Sequence, residues 1–195
     1  MAVNLTRIYT RTGDAGETRL GDMSKTTKTD PRLAAYGEVD EANSTIGVAI
    51  AAGHLNSAIV VLLTRIQNDL FDVGADLCNP IQPDPEYPPL RITQEYVDRL
   101  EAWCDDYNNR LTKLRSFILP GGTPGAAYLN VARTVVRRAE RAGWAAVEAH
   151  GPSINLLAIT YLNRLSDLLF ILGRVANLSA GGDVLWVPGG ERKES

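Results

Sequence analysis

The chain has 195 residues, of which 45% are apolar and 22% charged, with a formal net charge of −3. That length fits one domain with a buried core, and that balance is ordinary for a globular protein. The acidic net charge excludes a nucleic-acid coat protein, so any cluster of basic residues must be a local device.

Residues 1–31 do not read as a helix. Ile8, Tyr9 and Thr10 suit a short extended piece, and three glycines, Gly13, Gly16 and Gly21, then fall within nine residues among threonines. A segment of this kind can turn its backbone N–H groups inward on an anion, or form an ordinary surface turn. It carries neither the P-loop pattern nor a dinucleotide fingerprint. Lys25 and Lys28 add two cations just downstream.

Asp30-Pro31 starts the first helix, with Asp30 as N-cap and Pro31 in the first turn, and Gly53 ends it after about residue 52. Leu33, Tyr36, Asp40, Asn43, Ser44 and Gly47 share a face at helical spacing. On this reading Asp40 points inward and needs a cation from a neighbouring helix; the alternative is a half-exposed position at the bundle end. A second helix is predicted from Ser57 to about residue 77, with Ile59, Val60, Leu62, Leu63, Ile66, Leu70, Phe71 and Val73 as its apolar set. Residues 79–90 contain five prolines and must be irregular. Thr93 then caps a third helix reaching about residue 114, striped by Tyr96, Val97, Leu100, Trp103, Cys104, Tyr107 and Leu111.

After a glycine-bearing turn at residues 116–122, Thr123 and Pro124 open a fourth helix that Gly151-Pro152 stops. It holds Arg133, Arg137, Arg138 and Arg141 within nine residues, with Glu140 among them. At about 100° per residue, Arg133, Arg137, Glu140, Arg141 and Trp144 occupy one arc beside an apolar arc of Leu129, Ala132, Val135, Val136, Ala139, Gly143, Ala146 and Val147. Guanidiniums gathered at such a seam can hold a polyanion or form a salt-bridged surface, and the stretch alone leaves both readings open. The fifth helix, residues 153 to about 178, is apolar nearly all round and belongs at the centre of the bundle. Asn163, Ser166, Asp167 and Phe170 line its one contrasting face, with the preceding arginines as the nearest partners. Trp186, in the short tail, is placed to dock on the bundle.

Together these patterns predict an all-α protein: an antiparallel five-helix bundle with an irregular N-terminal nucleotide-binding loop. Residues 1–31 form the loop segment, 32–178 the bundle and 179–195 the tail, all one domain. No pattern supplies an activated Ser or Cys nucleophile or a protein-held metal. His54 and His150 are isolated, and Cys78 and Cys104 are too few for a disulfide scaffold and too far apart for a C-x-x-C motif. No apolar signal core or run of about 18 apolar residues stands out, so the expectation is a cytoplasmic protein with no membrane or nucleic-acid partner. The loop, the lysines and the arginine seam can together bind a nucleoside triphosphate.

Five segments, YTRTGDAGET, YGEVDEANS, FILPGG, ARTVVRRAER and NRLSDLLF, resemble the signature blocks of the trimeric ATP:cob(I)alamin adenosyltransferases, in that family's order from Tyr9 to Phe170. The chain departs from the family at Ala42, where Leu is common, at Asn130, where His is frequent, and at Val136, where Cys often stands. The resemblance implies transfer of the 5′-deoxyadenosyl group of ATP to the Co(I) centre of cob(I)alamin, with release of triphosphate. It also implies Mg²⁺ with the ATP, and a homotrimer with active sites between subunits. Matched residue by residue, Thr10, Arg11, Thr12, Gly13, Thr18, Arg19 and Lys28 correspond to N-terminal ATP-binding positions. Arg137, Arg138, Ala139, Glu140, Arg141 and Asn163 correspond to those on the helices. Arg137 takes the role of stabilising the departing triphosphate, and Arg133 resembles the arginine paired with the helix-one aspartate, here Asp40. Phe117 resembles the aromatic beneath the corrin ring, which excludes the axial base; otherwise it is a loop aromatic plugged into the core. Two other readings of the chain are a nucleotide-binding carrier without turnover and an inert bundle.

Overall fold

The computed structural model describes residue 9 and residues 11–85 and 87–189. Five helices dominate: α1 (Pro31–Ala52), α2 (Ser57–Cys78), α3 (Gln94–Asn108), α4 (Pro124–His150) and α5 (Leu156–Asn177). Their starts follow local chemistry. Asp30, Asn56, Thr123 and Asn155 each accept a first-turn N–H with a side-chain oxygen, a contribution of about 1 kcal/mol apiece. Gly151, at φ 56, closes α4 in a conformation that disfavours any side chain.

The core is one cluster in which Ala35, Val39, Ala42 and Ile46 of α1 meet Leu63, Ile66 and Leu70 of α2 and the apolar arc of α4. The fifth helix lies centrally as predicted, with Ile159, Tyr161, Leu162, Leu165, Leu168, Leu169 and Leu172 all buried. By length and hydropathy Leu156–Ala180 could cross a membrane, but these packed side chains mark it as the core of a bundle.

Several boundaries differ from the sequence reading. The N-terminal segment is not wholly irregular: β1 (Glu17–Arg19) and β2 (Lys25–Thr27) pair antiparallel, with Thr18 opposite Thr26. This hairpin is seated by Leu20, which is buried, and by the Gly21 N–H, which donates to the Cys78 carbonyl at the end of α2. Helix α3 ends at Asn108 rather than near residue 114, because the apolar stripe has no core partner beyond Tyr107. A 3₁₀ turn, Gly151–Ser153, replaces the expected first turn of α5. Phe71, counted with the apolar face of α2, is exposed.

Asp40 is also corrected. The buried face of α1 runs through Arg32, Ala35, Val39, Ala42, Asn43, Ile46 and Ala49, one position behind the predicted stripe, and Asp40 is exposed. The buried cation of α1 is instead Arg32. Its guanidinium donates to the Leu77 carbonyl at 2.9 Å and to Ser153 Oγ at 2.6 Å, tying α1 to the ends of α2 and the 3₁₀ turn.

Candidate active site

Two cavities, one in the N-terminal hairpin and one beside α4, and a row of cations along α4 make up the candidate site. The first cavity, about 540 Å³, lies in the hairpin and is lined by Thr12, Gly13, Glu17, Thr18, Arg19 and Lys25. The Arg19 guanidinium donates to the Met23 carbonyl at 2.8 Å, which fixes it across the turn. Lys28 leans over the loop, and a Cβ on Gly13 would meet its Nζ at 3.0 Å. Arg11, at φ 61, lies over the Tyr9 ring. Three cations, Arg19, Lys25 and Lys28, thus surround a loop with room for an anion. Thr10, matched to the same group, lies outside the described residues.

Asp30 holds this unit to the bundle. Its carboxylate accepts from Thr26 Oγ1 at 2.6 Å and from the Arg32 N–H at 2.8 Å, and it contacts His150 Nε2 at 2.7 Å. Burial pushes the Asp30 pKa up, but the hydrogen bonds from Thr26, Arg32 and His150 outweigh it and leave the carboxyl below its ordinary 3.8.

The cation row is Arg133, Arg137 and Arg141, four residues apart on α4 and so about 6 Å apart along its axis. Arg137 and Arg141 are exposed and make no ion pair among the described residues. Arg133 is half-buried, and its Nε donates to Asn130 Oδ1 at 3.3 Å. Burial, then the Arg137 charge, lowers its pKa.

The cluster divides differently from the sequence assignment. Arg138 is occupied: it donates to Glu38 at 2.6 Å and also to Glu41, so two α1 carboxylates neutralise it. Glu41, then Glu38, raises its pKa. Ala139 is fully buried and presents no side chain to a ligand. Asp40 and Arg133 form no pair within the chain. Asn163 binds Glu140 rather than an α4 arginine, its Nδ2 donating to Oε1 at 3.0 Å, while Arg164 donates to Asn163 Oδ1 at 2.6 Å. Ser166 donates to the carbonyl of Asn163 in its own helix, and Asp167 is exposed.

The second cavity, about 780 Å³, opens at the α4 N-terminal end, where Asn130 and Arg133 form part of its wall. Leu114, Phe117, Ile118, Phe170 and Trp186 supply an apolar surface. Phe117 is 79% exposed, so it is not a core plug. It stands edge-on to Trp186, with ring centroids 6.1 Å apart. The tail makes this arrangement, which was invisible in the sequence. The Trp186 N–H donates to the Phe117 carbonyl at 2.8 Å, the Leu119 N–H to the Val184 carbonyl at 2.8 Å, and Ile118 bridges Leu185. Arg174, itself buried, fixes the tail through Asp183 at 2.8 Å. The Phe117 loop is pinned at its other end by Asn177, which accepts from the Thr123 N–H and donates to the Gly121 carbonyl.

Comparison with known proteins gives the family of the chain. The sequence model of the family described as cobalamin adenosyltransferase matches residues 8–176. The chain belongs to that family. A corrinoid adenosyltransferase of Mycobacterium tuberculosis is 63% identical over 195 residues, covering all of both chains. A cobalamin adenosyltransferase of Cupriavidus metallidurans is 47% identical over 189 residues, 95% of this chain and 97% of that one. Among solved structures, a phenylalanine-to-alanine variant of the PduO-type ATP:corrinoid adenosyltransferase from Lactobacillus reuteri, complexed with cobalamin and ATP, superposes with a TM-score of 0.84. It is 39% identical, over 92% of this chain and 99% of that one. The protein is accordingly an enzyme that transfers the 5′-deoxyadenosyl group of ATP to the Co(I) centre of a reduced corrinoid and releases triphosphate.

Lys25, read from the sequence as a cation beside the loop, lines the hairpin cavity. Sequence reasoning missed Trp186 as the neighbour of Phe117 and the Glu38/Glu41 pair on Arg138. Both are tertiary and had no local signal.

Proposed function

We propose that the two cavities are two substrate half-sites and that a second copy of the chain closes them on one another. The observation that carries this reading is the placement of free cations. Arg137 and Arg141 are exposed on α4 with no carboxylate partner among the described residues, while Arg19, Lys25 and Lys28 gather in the hairpin, a separate pocket of the same chain. A triphosphate is long and highly charged, and it takes both groups when the hairpin of one subunit covers α4 of the next. On this reading Thr10, Arg11, Thr12, Gly13, Thr18, Arg19 and Lys28 hold ATP from one subunit, and Arg137, Glu140, Arg141 and Asn163 from its neighbour. The same closure offers Asp40 and Arg133, which form no ion pair with one another, a pairing between subunits. The assembly is a cytoplasmic homotrimer.

The apolar cavity takes the corrin, with Phe117 beneath the ring where an axial base would stand. Arg133 lies in that cavity's wall and Arg137 one turn farther along α4, so the row leads from the corrin towards the nucleotide. Co(I) supplies the electron pair that forms the Co–C5′ bond as the C5′–O bond breaks, and the triphosphate leaves with that bond's electrons. Arg137 stabilises the charge gathering on the leaving oxygens, a purely electrostatic contribution. No cluster of three or more His, Cys, Asp or Glu side chains among the described residues is placed to hold a metal. Mg²⁺ accompanies ATP, held largely by its phosphates and by water.

The test is turnover with ATP, Mg²⁺ and chemically reduced cobalamin, followed by the light-sensitive spectrum of the Co–C product and by free triphosphate. Both are expected in equal amounts. Release of orthophosphate or diphosphate without a Co–C product would overturn the reading.

A further inference from the structure

The apolar cavity carries a charge that the transfer itself does not use. Its wall holds two guanidiniums, Arg115 and Arg133, and no carboxylate. Elsewhere six arginines, Arg91, Arg99, Arg110, Arg138, Arg164 and Arg174, pair with acidic side chains. Arg133 is engaged by Asn130 and belongs to the α4 row. Arg115 comes from a different element, the loop ahead of Phe117, and is exposed with no ion pair among the described residues. Its base is fixed, because Ser116 Oγ donates to the Trp186 carbonyl at 3.1 Å and the Trp186 N–H donates to the Phe117 carbonyl. An apolar surface with an unneutralised guanidinium reaching its edge from a fixed loop backbone suits a large planar ligand bearing a single anionic arm.

Complete corrinoids have that form. Their peripheral chains are neutral amides, and the nucleotide loop is joined through one phosphodiester. We propose that Arg115 binds this phosphodiester, so that the enzyme selects corrinoids carrying the nucleotide loop over those lacking it. The inference rests on the corrin placement proposed above. A phosphate at Arg115 could instead belong to ATP, and the test separates the two sources.

KM values for cob(I)alamin, for cob(I)inamide, which lacks the loop, and for ATP are to be measured on full-length wild type, Arg115→Gln and Arg115→Lys. The wild type is expected to show a KM for cob(I)inamide roughly ten-fold or more above that for cob(I)alamin, the scale of one charge-assisted hydrogen-bonded contact. Arg115→Gln should bring the two together by raising the cob(I)alamin value, and Arg115→Lys should restore part of the gap. Equal KM values in the wild type, or a parallel rise for both corrinoids in Arg115→Gln, would overturn the assignment. A rise in KM for ATP would overturn it in favour of the triphosphate. Wild type that adenosylates neither corrinoid would sink the corrin placement itself, an outcome distinct from equal use of both.

Discussion

At the scale of single residues, adjacent arginines on α4 do unlike work. Arg137 is exposed and has no ion pair among the described residues, whereas Arg138 bridges Glu38 and Glu41 on α1. Arg137→Ala should therefore lower kcat roughly 100-fold or more while ATP binding persists, because its contact strengthens as the leaving triphosphate gains charge. ATP-dependent thermal stabilisation measured on the same variant would show that binding survives; an unchanged kcat would return Arg137 to the ordinary surface. Arg138→Ala should act mainly on the α1–α4 contact, lowering Tm to the same extent as the double change Glu38→Gln with Glu41→Gln. If Arg138→Ala instead raises KM for ATP and leaves Tm unmoved, it is a nucleotide ligand after all. Helical period placed Arg133, Arg137 and Arg141 in one row and left Arg138 off it, since spacing is local. It could not tell the paired one from the bare ones, since the carboxylates come from another helix. Asp40 failed for a related reason. A stripe read one position off turns a side chain by about 100°, enough to carry it from core to solvent.

At the scale of elements, what the sequence concealed was short β-pairing. Three-residue strands leave no alternation to read, and the Ile118–Leu185 bridge joins residues far apart in the chain. Both pieces nonetheless shape cavities. Gly122 fixes one of them, since its φ of 100 is strained for other residues and a Cβ there would stand 2.2 Å from Asn177 Oδ1. Gly122→Ala should cost about 1–3 kcal/mol and, by shifting the Phe117 loop, raise KM for the corrinoid more than KM for ATP. Chemical denaturation and steady-state kinetics on the same variant check both halves. The hairpin's attachment responds to pH. Because the folded Asp30 carboxyl lies below 3.8, its contribution is complete above that value and is lost as pH falls through the lower folded pKa. Asp30→Asn keeps a capping oxygen but loses the charge. It should cost about 0.5–1 kcal/mol near neutrality, the scale of a carboxylate at a helix N-terminus. Thermal denaturation at descending pH should show wild type and variant converging below about pH 4. A constant gap would assign the effect to something other than the charge.

At the scale of the whole molecule, the proposed sharing of sites between subunits can be tested directly. The five helices were legible because apolar period, caps and prolines are written locally, and the bundle follows from packing their apolar faces. The candidate site was legible as residue types but not as one place, because its two groups line separate parts of the chain: a hairpin cavity with no α4 residue in its wall, and a cation row along α4. If the halves meet between subunits, two inactive variants should complement one another. Lys28→Ala damages the hairpin half and Arg137→Ala the helix half. In a trimer assembled at random from equal amounts of the two, about one site in four combines an intact hairpin from an Arg137→Ala chain with an intact α4 from a Lys28→Ala chain. Co-refolding the variants should therefore restore up to about a quarter of wild-type turnover, while each alone stays inactive. A site built within one chain has no such combination, and mixing would then restore nothing. The result separates shared from unshared sites without requiring that ATP or corrinoid be seen bound.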